Sequence, residues 1–457
     1  MMRCLASDSK LEGTVDVVTT GTQSEVCPVS GGLGEPVIPP TENNLLHRVA
    51  DLSSLNKAWR IVRASALSSQ SSKIVTLAKK FDQDSIVNLR AIESSLKEGS
   101  FIFEGVFARL LPREGKAPRP LAVAPIASRI VQRAILDIIW GNKRIKAIVK
   151  EPETHNSFGG IQDESTKKAI TELCKCVQSG YNYYITSDIK DFFQKINKHD
   201  VHNTIFQCLD DNSINSLIER AVQCEILNTS SNQVKKYINL FPKGDVGVIQ
   251  GCCLSPLYGN VYLHNFDSII NSIKNIRCLR YIDDFIIIGK RERSVHKAFK
   301  KAIDILNKKV LDAYTLEEKD TKASFGDIRK LPINFLGCSI AKGQVRPQKK
   351  AKESLCKKID SYISNSISYM IQSKGCYLTE YNYINTILKI NNTLKGWGGA
   401  FSFCTDKEFF KRLDAEIMQK ISHYHSEFKK ISLLVKGIQD RQRLFGLHML
   451  VDCIKQE

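Results

Sequence analysis

The chain has 457 residues, 42% of them apolar and 25% charged, which excludes a disordered or fibrous protein and suffices for several packed subdomains. Sixty-six Lys and Arg against 48 Asp and Glu leave a formal charge of +18, spread along the chain, and this points to a polyanionic partner. The 14 Cys lack zinc-knuckle spacing, no signal peptide opens the chain, and the longest apolar stretches fall far short of the roughly 20 residues that cross a bilayer, so reduced thiols, a cytoplasmic location and no membrane segment are expected.

Residues 1–45 are rich in Gly, Ser, Thr and Pro without sustained periodicity and read as a flexible N-terminal extension. Leu55, Ala58, Trp59 and Val62 then form one face of a helix, and a second helical run covers Asp84 to Leu96. A basic loop, Pro112 to Pro120, precedes a helix that Ser128 could cap and that carries Ile130, Val131, Ile135 and Ile138 at helical spacing. Another helix spans Ser165 to Val177. The period changes at Tyr181 to Thr186, where aromatic and β-branched residues predict a strand that delivers Asp188 at its end, followed by a helix near Phe192. Ile276 to Lys290 reads as a hairpin with Asp283 and Asp284 at its tip. A short strand at Ile333 to Gly337 and a turn at Lys342-Gly343 follow, and from Gln348 the chain is helical. The order is that of an α+β architecture without internal repeats.

Asp188 and the Asp283-Asp284 pair carry the chemistry. Nucleotidyl transfer uses two divalent cations about 3.5 to 4 Å apart, one lowering the pKa of the attacking 3′-hydroxyl and one neutralising the leaving pyrophosphate. Such hard ions take oxygen ligands, so carboxylates converging from a strand end and a neighbouring hairpin tip fit two Mg²⁺, with Mn²⁺ as an alternative. Asp-Asp is also a common turn pair. Here, however, it lies between Tyr281-Ile282 and the apolar run Phe285 to Ile288, where like charges are unfavourable without a cation. Adjacent strand residues point to opposite faces, which ranks Asp283 above Asp284 as a ligand.

Tyr281-Ile282-Asp283-Asp284 resembles the signature tetrapeptide of reverse transcriptases, and Ser187-Asp188-Ile189-Lys190-Asp191-Phe192-Phe193 resembles their first catalytic motif. Gly115 to Leu121 and Arg129 to Ala134 are similar to the fingers of group II intron-type enzymes, and Ser157-Phe158-Gly159 to the block that follows. Gln250 to Pro256 with Asn260 resembles the block that supports template and incoming nucleotide. Phe335-Leu336-Gly337 is similar to the last palm block, and Asn392 to Trp397 to the thumb. Departures are Ile249 before Gln250-Gly251, Gly160 after Phe158-Gly159, and the small-residue stretch from Ala64 to Ser72.

The resemblance implies a right-hand polymerase: fingers and N-terminal helices at 46–180, an antiparallel palm at 181–345 with the catalytic site, and a helical thumb at 346–457. It implies Asp188, Asp283 and Asp284 as metal ligands, with the Ile189 backbone carbonyl as a further one. Lys116 and Arg119 would hold the triphosphate, Phe193 would block a ribose 2′-hydroxyl, with Phe192 in the core, and Gln250 and Gly251 would line the nucleotide pocket. The lysine near the palm edge is Lys319 or Lys322, the register being open. Trp397 reads as a thumb-core aromatic ahead of a nucleic-acid contact.

The implied partners are an RNA template, a cognate non-coding RNA, dNTPs and the cDNA product, with the N-terminal extension a place for RNA or homo-oligomer contacts. Retron signatures (Asn-Ala, Val-Thr-Gly) are not in the sequence, and the expected role is antiphage defence, like that of free-standing group II-like bacterial enzymes. The alternatives are a domesticated intron-type polymerase in DNA repair and a maturase-like RNA-binding protein.

Overall fold

The structure is a computed structural model, and it describes residues 44–69, 71–113, 115–150, 156–318, 322–341, 343–372 and 379–450. All but the last two residues of the expected N-terminal extension lie outside these, as do Lys319 and Lys342.

Helices and antiparallel sheets alternate in an α+β architecture. Leu55, Ala58, Trp59, Val62 and Ala66 are the buried stripe of helix Leu52–Leu67, the expected face extended by one turn. Helices Ser72–Gln83 and Ser85–Lys97 pack beside it, the first not anticipated from the sequence. The stretch read as a basic loop is instead a hairpin of β1 (Phe107–Arg113) and β2 (Lys116–Val123). Pro112, Pro118 and Pro120 mask its strand character, and a two-stranded ribbon, in which both strands are edges, tolerates them. Ser128 does not cap the next helix. That helix, Ile126–Gly141, starts behind Pro125 and buries Ser128 in its first turn. Ser165 does cap helix Thr166–Gln178, its hydroxyl accepting from the Lys168 N–H at 3.3 Å.

The main sheet contains β3 (Tyr183–Lys190), β4 (Ile276–Tyr281), β5 (Asp284–Gly289), β6 (Asp312–Ala313) and β7 (Ser324–Asp327). Its order is β4-β5-β3-β6, with β7 also on β3 and every pairing antiparallel. β3 does not stop at Asp188 as expected, because Ile189 and Lys190 pair with Ala313 and Asp312. Both faces of this sheet are covered, which is why Phe285 to Ile288 is continuously apolar. Phe285 and Ile287 join the core with helices Ser255–Asn271 and Glu292–Lys308, whereas Ile286 and Ile288 face helix Thr166–Gln178 and a second sheet. That sheet has the order β10-β9-β8, from β8 (Ile333–Phe335), β9 (Cys338–Ala341) and β10 (Gln344–Pro347).

The larger core runs without interruption from Val49 to Ala313, so the N-terminal helices and the sheet share one interior. Helix Thr166–Gln178 packs with the sheet rather than with the helices before it. The C-terminal part has its own core, in which Leu355, Ile359 and Ile363 of helix Lys349–Gln372 meet Ile390 of helix Tyr383–Ala400 and Leu413, Ile417, Tyr424 and Phe428 of helix Lys407–Leu434. Trp397 is half-buried against it, 4.7 Å from Phe401 between ring centroids. Ten Cys among the described residues are free thiols. No described helix is long and apolar enough to cross a membrane.

Candidate active site

Asp188 and Asp284 are register partners across β3 and β5 and therefore share one face of the sheet. The Asp283 carbonyl accepts the Ile189 N–H at 3.1 Å, and the Asp188 carbonyl accepts the Tyr314 N–H at 3.1 Å. These backbone bonds bring the three acidic residues to one end of the sheet. Asp284 is the residue of the pair that stands opposite Asp188 across the strands, and Asp283 occupies the turn beside it.

Electrostatics mark the site. Burial, then Asp283 and Asp188, pushes the Asp284 carboxyl up to about 7, and burial followed by Asp188 raises Asp283. The Lys322 ammonium is hydrogen-bonded to Asp188 and lies 5.2 Å from the centre of the Tyr314 ring. Among the described residues no three His, Cys, Asp or Glu groups are already gathered into a ligating cluster. Partly buried oxygen donors held at unfavourably raised pKa values nonetheless fit hard divalent cations, which would relieve the repulsion once Lys322 moves off Asp188.

The neighbouring expected residues fall as follows. The Arg119 Nε donates to the Gln250 side-chain oxygen at 2.8 Å, and the Ala122 N–H donates to the Gln250 carbonyl at 2.9 Å, so the β1–β2 hairpin is docked on that block. Gly251 has φ +119°, and a Cβ there would stand 2.7 Å from the Ala122 carbonyl oxygen, a contact only glycine permits. Lys116 is placed by its backbone opposite Arg113; its side chain lies outside the described residues. Phe192 is buried and Phe193 half-buried, their rings 5.4 Å apart, with the Phe193 carbonyl accepting from the Val248 N–H at 2.7 Å. The Ile189 side chain is in the core. Lys322, of the two lysines left open, is the one on Asp188, and Lys319 lies outside the described residues.

Arg280 escaped the sequence reading. It is fully buried, yet the signal was available, since Ile276, Cys278 and Arg280 alternate on one face of β4 and a charge there must be paired. Its guanidinium meets Asp267 (2.8 Å from Nε), the Asn260 side-chain oxygen (3.0 Å) and the Ile282 carbonyl (2.9 Å). Asn260 in turn donates to the Gly159 carbonyl at 2.8 Å and accepts from the Ser157 hydroxyl at 3.1 Å.

A helix-covered antiparallel sheet, preceded by a docked hairpin and followed by a helical bundle, is the right-hand fold of template-directed polymerases. Residues 111–340, half of the chain, match the family model for reverse transcriptase (RNA-dependent DNA polymerase), and the chain belongs to that family. It is 24% identical to Protein YkfC of Escherichia coli K12 over 42% of this chain and 56% of that one. It is 22% identical to the group II intron-encoded protein LtrA of Lactococcus lactis over 41% of this chain and 28% of LtrA. The match thus spans about half or less of these relatives' own length. Among solved structures, apo telomerase from Candida tropicalis aligns over 76% of this chain and 64% of that one, with a TM-score of 0.41 and 15% identity.

Proposed function

We propose that the protein is an RNA-directed DNA polymerase that copies an RNA template into cDNA, with Asp188, Asp283, Asp284 and the Ile189 carbonyl as ligands of two Mg²⁺ ions. The observation that carries this is the cross-strand pairing of Asp188 with Asp284 beside a turn that supplies Asp283, in a chain of the reverse transcriptase family. When bound, the ions would supply charge neutralisation and a lowered pKa for the attacking 3′-hydroxyl.

The chain's own groups divide the remaining work. Lys322 holds the Asp188 carboxylate until it is exchanged for the ligating arrangement. Arg119, reaching over Gln250, presents a planar donor fork to a triphosphate, assisted by Lys116, while Gly251 lets the backbone close on the nucleotide. Phe193, beside the Gln250 block, excludes a ribose 2′-hydroxyl and so selects dNTPs. Residues 46–180 serve as fingers, 181–345 as palm and 346–457 as thumb, with residues 1–45 as an extension for RNA or subunit contacts. The biological setting we assign is antiphage defence with a cognate non-coding RNA as template, in the cytoplasm.

Primed RNA, dNTPs and Mg²⁺ with purified protein test the reading. Incorporation is expected from the parent, and the Asp283→Ala, Asp284→Ala double variant should lose many orders of magnitude in rate. Undiminished incorporation by that variant would remove the assignment. A single RNA species co-purifying with the protein is expected for the defence role; protein free of RNA would favour the repair role.

A further inference from the structure

The hairpin tip that carries Asp283 and Asp284 has an unusual backbone. Tyr281 pairs with Asp284, leaving a two-residue loop whose first position, Ile282, has φ +61°. Two-residue hairpins with a positive φ at this position favour Gly, Asn or Asp there, and a β-branched residue in that region costs about 1 to 3 kcal/mol. Something other than local preference must hold the turn.

The geometry points to Arg280 as a positioning residue for the two hairpin carboxylates, an inference that rests on the proposed polymerase reading. Its guanidinium donates to the carbonyl of the strained Ile282 at 2.9 Å while being gripped from below by Asp267 and Asn260. Its backbone N–H donates to the Asn156 carbonyl at 2.7 Å, and its carbonyl accepts from Phe158 at 3.0 Å. Gly159 completes the packing, since a Cβ there would stand 2.8 Å from the Ile282 nitrogen. Asp267 and Asn260 both belong to helix Ser255–Asn271, which starts directly after the Gln250-Gly251 block. The buried Arg280 side chain therefore ties the acidic tip to the helix behind the nucleotide pocket, while its backbone and Asn260 hold the Ser157 to Gly159 segment beside them. Fixing ligand carboxylates from behind in this way is worth about 10 to 100-fold in metal affinity or rate in known sites.

Two variants test this. Arg280→Lys keeps a charge opposite Asp267 but loses the fork that reaches Ile282. Arg280→Met combined with Asp267→Leu removes both charges without leaving one buried and unpaired. Mn²⁺ binding, followed by the electron paramagnetic resonance of free Mn²⁺, needs no catalysis, and it is read beside nucleotide incorporation and primer–template affinity. We expect Mn²⁺ affinity and incorporation rate each to fall about 10 to 100-fold, with primer–template affinity within about twofold of the parent. Parent-like Mn²⁺ binding in both folded variants would overturn the inference, as would an unfolded lysine variant, which would make Arg280 a purely stabilising residue. A parent that binds Mn²⁺ in an Arg280-dependent manner yet incorporates no nucleotide would instead refute the polymerase reading and leave this one standing.

Discussion

Asp284 holds a proton up to about pH 7 because it is buried and faces two further carboxylates. In the unfolded chain the same group ionises near 4, so between those values the folded state retains a proton that the unfolded state has lost. Stability contributed at this site therefore falls as pH rises from about 4 to about 7. In metal-free buffer, Asp284→Asn should melt higher than the parent at pH 7.5 and show a flatter pH dependence across that window. Scanning fluorimetry in EDTA checks this, and identical slopes for the two proteins would contradict it. Gly251 yields a prediction of another kind. Alanine there must adopt φ +119° and displace the Ala122 carbonyl, so Gly251→Ala should cost about 1 to 3 kcal/mol in urea denaturation and raise the KM for dNTP. An unchanged denaturation midpoint would show that β2 yields freely.

Helix Lys198–Cys208 illustrates how a single element can carry a pH response. Its His202 lies in a pocket where burial, aided by Lys198 and His199, pushes the imidazole down to about 4, with Nε2 2.8 Å from the Tyr258 hydroxyl. The folded state keeps His202 neutral while the unfolded chain takes up a proton below about 6.5, so stability is lost as pH falls from about 6.5 to about 4. His202→Gln, which can still bond Tyr258, should shrink this acid sensitivity by about one proton. Equal acid limbs in parent and variant would place the response elsewhere. The same scale shows what local sequence conceals. Ser165 is legible as a cap because a helical face follows it directly, whereas Ser128 resembles a cap but lies inside a helix begun by Ile126 behind Pro125. The proline-rich stretch hid a hairpin whose pairing is fixed by docking on Gln250, a contact across more than a hundred residues.

At the level of the whole molecule, an excess of 18 positive charges predicts that affinity for a primed RNA falls steeply with salt, by roughly 0.7 to 0.9 in log–log slope per phosphate contacted. A slope near zero in filter binding between 50 and 300 mM salt would contradict a polyanion-binding cleft, these salt limits being of the order over which counterion release is measured.

The amino-acid order alone determined the element types around the acidic residues, since β-branched runs, an Asp-Asp turn and helical periodicity are local properties that neighbouring residues encode. It also determined that the Asp-Asp pair needed explanation, because charge beside the Phe285 to Ile288 run is costly. Only the tertiary structure decided which strand faces which, that Asp284 rather than Asp283 pairs with Asp188, that Lys322 is their counterion, and that Arg280 lies beneath them. Those outcomes depend on register and on contacts between segments up to 134 residues apart. No propensity of a single residue carries that information, since it is set by which buried faces meet when the sheet closes.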